Sequence, residues 1–202
     1  MRPGLFDDIL NLTAEHSVLV LIAMAFALAI GIPLGILLTR QKALRRWALG
    51  FANVMQTVPS LALFGFLIPI THIGKPTAIV ALVLYALLPI LRNTLTGILG
   101  VDAAVRESAI AMGMTNRQLL WYVELPLAAP VILAGVRVAT VTTIGTATIA
   151  AAIGGGGLGV FIFRGIASVD TTEILAGAVP AALLALLSDG GLSWIEKRFS
   201  PA

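Results

Sequence analysis

Residues 101–126, VDAAVRESAIAMGMTNRQLLWYVELP, place five charged side chains between two apolar runs, 77–99 and 127–150, that hold one charge each, Arg92 and Arg137. A bilayer core about 30 Å thick needs about 20 apolar helical residues per crossing, and both flanking runs reach that length. The polar stretch is therefore an insert between two membrane spans. A membrane domain with such an insert reads as one driven from outside the bilayer.

The rest of the chain agrees. Of 202 residues, 58% are hydrophobic and 11% charged, with a mean hydropathy of +1.00, far too apolar for a water-exposed globule of this size. Five spans are predicted, at 17–38, 51–70, 77–99, 127–150 and 174–194, in a single transmembrane domain over 1–202. All should be helical, since only internally hydrogen-bonded backbone is tolerated against lipid. Alternation within the apolar runs is too weak for an outer-membrane barrel. The first run is longer than a signal-peptide core and its cations follow rather than precede it, so it should be retained as a span. With no cysteine, neither a disulfide framework nor a thiolate site is available.

Charge sets the orientation. Arg40, Lys42, Arg45 and Arg46 lie between spans one and two, Arg92, Arg106 and Arg117 between three and four, and Lys197 and Arg198 at the end. With five spans these regions share one side, and their cation excess makes it cytoplasmic. The other side carries Asp7, Asp8, Glu15 and Asp170 against Arg2, Lys75 and Arg164. The N-terminus is predicted out and the C-terminus in, with Trp47 and Trp194 at the inner interface. The pI near 9.8 then reflects membrane topology, and no nucleic-acid partner is expected.

Within the insert, Asp102 is a candidate N-cap for a helix through Met112, and Gly113 supplies a left-handed residue to end it. Thr115 and Gln118 have the spacing of a capping box that restarts a helix. Pro126 falls in the first turn of span four, where proline is tolerated. On helix signals alone, this helix–turn–helix is either an amphipathic hairpin lying on the inner leaflet or a docking element.

Glu107-Ser108-Ala109, three residues, Gly113, nine residues, then Val123-Glu124-Leu125-Pro126 resembles the EAA loop of ABC importer permeases, whose pattern is Glu-Ala-Ala-x3-Gly-x9-Ile-x-Leu-Pro. Ser108 and Val123 depart from it by small changes. The resemblance implies a type I ABC importer permease fold with cytoplasmic coupling helices between spans 3 and 4. It also implies a role for the loop, which docks on a cytoplasmic ATPase subunit and passes nucleotide-driven closure to the spans. Glu107, Ser108, Ala109 and Gly113 would then be docking residues, with Met114 and Thr115 beside the turn and Leu125 and Pro126 closing the motif.

The segments Gln56 to Leu63, Leu88 to Thr94 and Gly155 to Gly159 resemble the osmoprotectant branch of these permeases, which imports glycine betaine, choline, carnitine and related quaternary amines. A methionine-type amino-acid permease is the alternative, having the same five-span plan, and a non-ABC channel or carrier is a more distant one. Similar importers combine two permease subunits, identical or paralogous, with two ATPases and an extracytoplasmic substrate-binding protein, in the bacterial or archaeal cytoplasmic (inner) membrane. The ATP and Mg would sit on the partner ATPase. This chain lacks a Gly-x4-Gly-Lys-Ser/Thr loop, so it is not expected to be an enzyme or to hold a cofactor or metal.

Several residues within the spans carry chemistry. Pro59-Ser60 interrupts span two, making Gln56, Thr57, Pro59 and Ser60 candidate pathway lining, or else a proline kink in a packed helix. Asn93 and Thr94, with Thr140, Thr142, Thr143, Thr146 and Thr148, offer polar groups to a solute, although helix contacts are the commoner use of such residues. Gly31, Gly35, Gly145, Ala147 and Ala151 are expected to permit close helix approach. Arg137 is the one charge deep in a span, and such residues usually pair. Asp189 is its expected partner, with a subunit-interface or gating role as the second option. The run Gly154 to Gly159 lacks a phosphate-binding lysine and reads as a flexible break at the outer end of span four. His16 and His72 sit near outer span ends with no His-Glu-x-x-His spacing, and no second buried acid is expected near Asp189, which together disfavour an intramembrane enzyme.

Overall fold

The computed structural model describes residues 4–199, so Arg2, counted above with the outer charges, lies outside the described residues. Every regular element among the described residues is helical. Helix α1 runs Leu5–Arg40, α2 Lys42–Thr57, α3 Ser60–Thr71, α4 Lys75–Leu99, α5 Ala103–Ala111, α6 Asn116–Leu119, α7 Leu125–Ala147, α8 Gly159–Ser168 and α9 Thr171–Phe199. Among the described residues, four helical segments are long and apolar enough to cross a membrane: α1, α4, the continuous run Asn116–Ala147, and α9. The pair α2 and α3 makes a fifth span if counted together, bent by 108° at its break.

Several boundaries move from those expected. Helix α1 is 36 residues long, about 54 Å at 1.5 Å per residue, so the leader before residue 17 continues the helix past the bilayer. Span two starts at Lys42, not residue 51, and is two helices. Span four does not begin afresh at Pro126. Its helix is continuous with α6 through a π turn at Leu120–Glu124, where the Leu125 N–H donates to the Leu120 carbonyl. A proline ring clashes with the carbonyl four residues back, and the widened turn before Pro126 relieves that clash. Between expected spans four and five the chain is not simple loop: a 3₁₀ turn at Ile149–Ile153 straddles the end of span four and the ten-residue α8 follows. Helix α9 starts early because Asp170 Oδ1 accepts the Thr172 N–H at 2.8 Å, a cap that the apolar pattern alone does not register.

The core lies where α1, α4 and α7 cross, with Leu19, Ala23 and Ala27 meeting Ala81, Leu82, Ala86, Ala139 and Ile144, and Phe64 of α3 closing one side. Small residues set the spacing. A Cβ at Gly31 would lie 2.7 Å from Ile90 Cγ2, and one at Gly35 would lie 2.7 Å from Thr94 Cβ. Gly145 does not share this role, because nothing lies within 4 Å of a Cβ built there.

Candidate functional site

The hairpin between α4 and α7 is built by local capping. Asp102 Oδ1 accepts the Ala104 N–H at 2.8 Å and opens α5. Gly113 turns the chain with φ +84, a conformation most side chains resist, and the Met114 N–H reaches back to the Ala109 carbonyl at 3.2 Å. Thr115 and Gln118 then form a reciprocal capping box, the Thr115 N–H donating to Gln118 Oε1 at 2.9 Å. The result is helix, glycine turn, helix.

Ile110, Met112, Trp121 and Tyr122 are exposed around that turn, Met112 and Tyr122 each at 72%. Large apolar side chains grouped on a polar hairpin mark an interaction surface. Glu107, Ser108, Gly113 and Thr115 are also exposed, while Met114 and Leu125 are half-buried and Pro126 is open. Ala109 departs from its assignment as a docking residue. It is buried, on the face of α5 turned into the protein, so its small side chain serves packing.

The two arms join the spans differently. Helix α6 runs into α7 without interruption, whereas Gly100, Val101 and Asp102 separate α4 from α5. That gap is bridged by side chains. Glu124, in the π turn and 0% exposed, accepts from Arg40 Nη2 at 2.5 Å and faces Arg106 Nε at 3.3 Å. Arg106 also donates to the Ile98 carbonyl in the last turn of α4. Glu124 stands outside the motif positions, yet a carboxylate flanked by Leu, Trp, Tyr, Val and Pro signals a buried partner, because an unpaired buried charge is prohibitively costly.

At the span-two break, Val58 is extended (φ −67, ψ 127) and its carbonyl leaves the helical ladder. The Tyr85 hydroxyl of α4 donates to that carbonyl, supplying the partner that backbone at bilayer depth requires. Gln56, Thr57 and Pro59 lie exposed at the bend and Ser60 is half-covered. The break thus exceeds a simple kink.

Asn93 and Thr94 do not join these residues. Thr94 is fully buried against Gly35. Asn93 donates to the Pro89 carbonyl at 2.9 Å and packs where a Cβ on Gly135 would lie 2.4 Å from its own Cβ. Both are helix contacts between α4 and its neighbours, a correction to their candidacy as pathway lining. The nearby threonines behave alike: Thr140 and Thr142 of α7 and Thr148 just past its end return their hydroxyls to carbonyls three or four residues back, and Thr143 meets Met24 of α1.

Arg137 Nε lies 2.6 Å from Asp189 Oδ1, and its Nη1 lies 3.1 Å from Glu196 Oε2. Glu196 is thus a second acid on this arginine, half-buried and not enclosed. Asp189 and Glu196 are seven residues apart, two helical turns, which sets both on one face of α9.

The Gly154 to Gly159 run is a packed turn, not a flexible break. The Gly157 N–H donates to Glu15 Oε2 at 3.0 Å, and Glu15 Oε1 pairs with Lys75 at 2.6 Å. His16, fully buried beside the turn, contacts the Ile144 carbonyl through Nε2 at 3.1 Å.

The chain matches the model of the family described as binding-protein-dependent transport system inner membrane component over residues 31–201. It belongs to that family. Such permeases are multi-pass components of the inner membrane and serve transport rather than catalysis. The chain is 47% identical over 195 residues to the choline transport system permease protein OpuBB of Bacillus subtilis, covering 96% of this chain and 90% of that one. It is 43% identical over 196 residues to the osmoprotectant import permease protein OsmW of Salmonella typhimurium, covering 95% and 91%. Among solved structures, an inward-facing MetNI methionine ABC transporter matches over 100% of both chains with a TM-score of 0.88 at 25% identity. The permease is thus a type I ABC importer subunit in fold.

Proposed function

We propose that this chain is the membrane-spanning permease of an ATP-driven importer for quaternary-amine osmoprotectants such as glycine betaine, choline or carnitine. The observation that carries this reading is the near-complete coverage at 47% identity by a permease named for choline. The methionine-type alternative is weaker, since its identity is 25% and a shared fold hosts different solutes. Two ATPase subunits bind and hydrolyse ATP, a second permease copy or paralogue completes the membrane part, and a separate extracytoplasmic protein delivers the solute. The single membrane domain spans 1–202, with the N-terminus outside and the C-terminus in the cytoplasm.

In this mechanism Glu107, Ser108, Gly113, Met114 and Thr115, with Leu125 and Pro126 at the base, present the hairpin to an ATPase. Its exposed apolar side chains supply the contact area and its caps supply stiffness. Closure of the ATPases on ATP displaces the hairpin, and the continuous α6–α7 run converts that shift into a tilt of span four. Gln56, Thr57, Pro59 and Ser60 line the route at the bend. Arg137, held by Asp189 and Glu196, is a structural tie between α7 and α9. Its charge is neutralised there and does not repel a cationic solute.

Radiolabelled glycine betaine, choline and methionine, offered to cells carrying the complete set of subunits, test the substrate class. Uptake of a quaternary amine without methionine is expected, and the converse overturns the reading. Gly113→Asp tests docking: uptake and ATPase co-purification should both vanish while the permease remains inserted.

A further inference from the structure

Glu124 is the most enclosed acid among the described residues, and no step of the docking mechanism uses it. Its carboxylate meets Arg40 at the last residue of α1, Arg106 in the first arm of the hairpin and, through Arg106, the Ile98 carbonyl at the end of α4. Its own backbone belongs to the π turn that leads into α7. One side chain therefore ties the hairpin to three spans that already pack together in the core, and the weak joints lie between those spans and the hairpin. Helix α1 has no covalent link to the hairpin, α5 is cut from α4 at Gly100–Asp102, and the π turn is the irregular joint in the remaining arm.

The continuous α6–α7 run carries a push into span four, but without this tie the first arm would flex at Gly100–Asp102 and pass little of the push directly to α1 and α4. With it, both arms of the hairpin are fixed to the packed body of α1, α4 and α7. The tie is also adjustable. Arg40 is 47% exposed at the rim, while Glu124 Oε1 and Arg106 Nε face each other at 3.3 Å without a hydrogen bond between them. A small shift of α5 can align that pair.

From this geometry we infer that Glu124, gripped by Arg40 and Arg106, is a positioning residue that transmits hairpin displacement to α1 and α4 as well as α7, setting how much transport each ATP hydrolysed yields. The inference rests on the hairpin docking an ATPase and goes beyond it by naming what carries the motion onward.

The test uses the full transporter, with its ATPase and binding protein, reconstituted in vesicles with labelled choline. Uptake and ATP hydrolysis are measured on the same preparation. Glu124→Gln keeps the shape and removes the charge. Its ratio of solute moved to ATP hydrolysed is expected to fall about tenfold, within the range usual for coupling between sites, with the ATPase still co-purifying. Arg40→Gln should lower the ratio less, and Arg40→Lys should restore most of it. A purely structural role would reduce both activities in proportion to the assembled complex, leaving the ratio unchanged, and that result overturns the inference. If Glu124→Gln does not assemble, the half-exposed Arg40→Gln decides by the same ratio. An unchanged ratio alongside loss of the ATPase in Gly113→Asp sinks the tie alone. Retention of the ATPase by Gly113→Asp sinks the docking reading and the tie with it.

Discussion

Two glycine turns close the two ends of this bundle, and they use nearly the same backbone for opposite purposes. Gly113 has φ +84, and Gly154, Gly156 and Gly157 lie between +74 and +78. Nothing lies within 4 Å of a Cβ built on Gly113, whereas one on Gly156 would lie 2.7 Å from the Glu15 carboxylate and one on Gly157 2.9 Å from His16 Nδ1. The first turn is left bare, ringed by exposed apolar side chains; the second is sealed into the protein by a carboxylate, an imidazole and a backbone hydrogen bond. A left-handed glycine permits a reversal in both places. What surrounds it decides whether the reversal is presented to a partner or used to lock helices together.

That contrast can be broken most severely at the sealed end. A Cβ on Gly159 would lie 1.8 Å from the Thr148 carbonyl oxygen, which is backbone and cannot turn aside. Gly159→Ala should therefore cost roughly 3 kcal/mol or more, at the upper end for overpacking, and appear as a large fall in the thermal midpoint of the purified permease, with uptake lost alongside. At the bare end, Tyr122→Ala should leave that midpoint unchanged and weaken retention of the ATPase by roughly tenfold, as loss of an exposed aromatic anchor does at an interface. Titrating the ATPase against the permease in detergent reads this directly. If Tyr122→Ala instead destabilises the isolated chain, the hairpin is not a free surface.

Smaller changes sharpen the comparison. Glu15→Gln removes the charge that pairs with Lys75 and weakens the acceptor for Gly157, so stability should drop by about 1 kcal/mol. Lys75→Met removes only a pair whose lysine is mostly exposed, and its cost should stay below about 0.5 kcal/mol. Denaturant or thermal melts of both variants rank the two. Equal losses would mean that the ion pair, not the Gly157 hydrogen bond, holds the turn.

Much of the hairpin was legible from residue order because its determinants are local. A cap at Asp102, a turn at Gly113 and a box at Thr115 and Gln118 depend on neighbours within three or four positions. The same holds for the number and order of the apolar spans, though not for their ends, and for the break at Pro59, since proline removes a donor wherever it stands. Arg137 could be matched with Asp189 from helix depth alone. Asn93 and Thr94 were misread because their polarity is visible in the sequence while the glycines they pack against, Gly135 and Gly35, lie on other helices.

Pairing across long stretches of chain belongs to the folded bundle: Arg40 with Glu124, Glu15 with Gly157, Tyr85 with the Val58 carbonyl. Composition and periodicity settled that the chain is a helical membrane protein with a capped polar hairpin, because hydrophobic burial and helix termini obey rules that operate within a few residues. Which buried charge finds which cation, and which glycine turn is covered, depends on how the helices cross. No local rule carries that information, since the partners meet only after the bundle has formed.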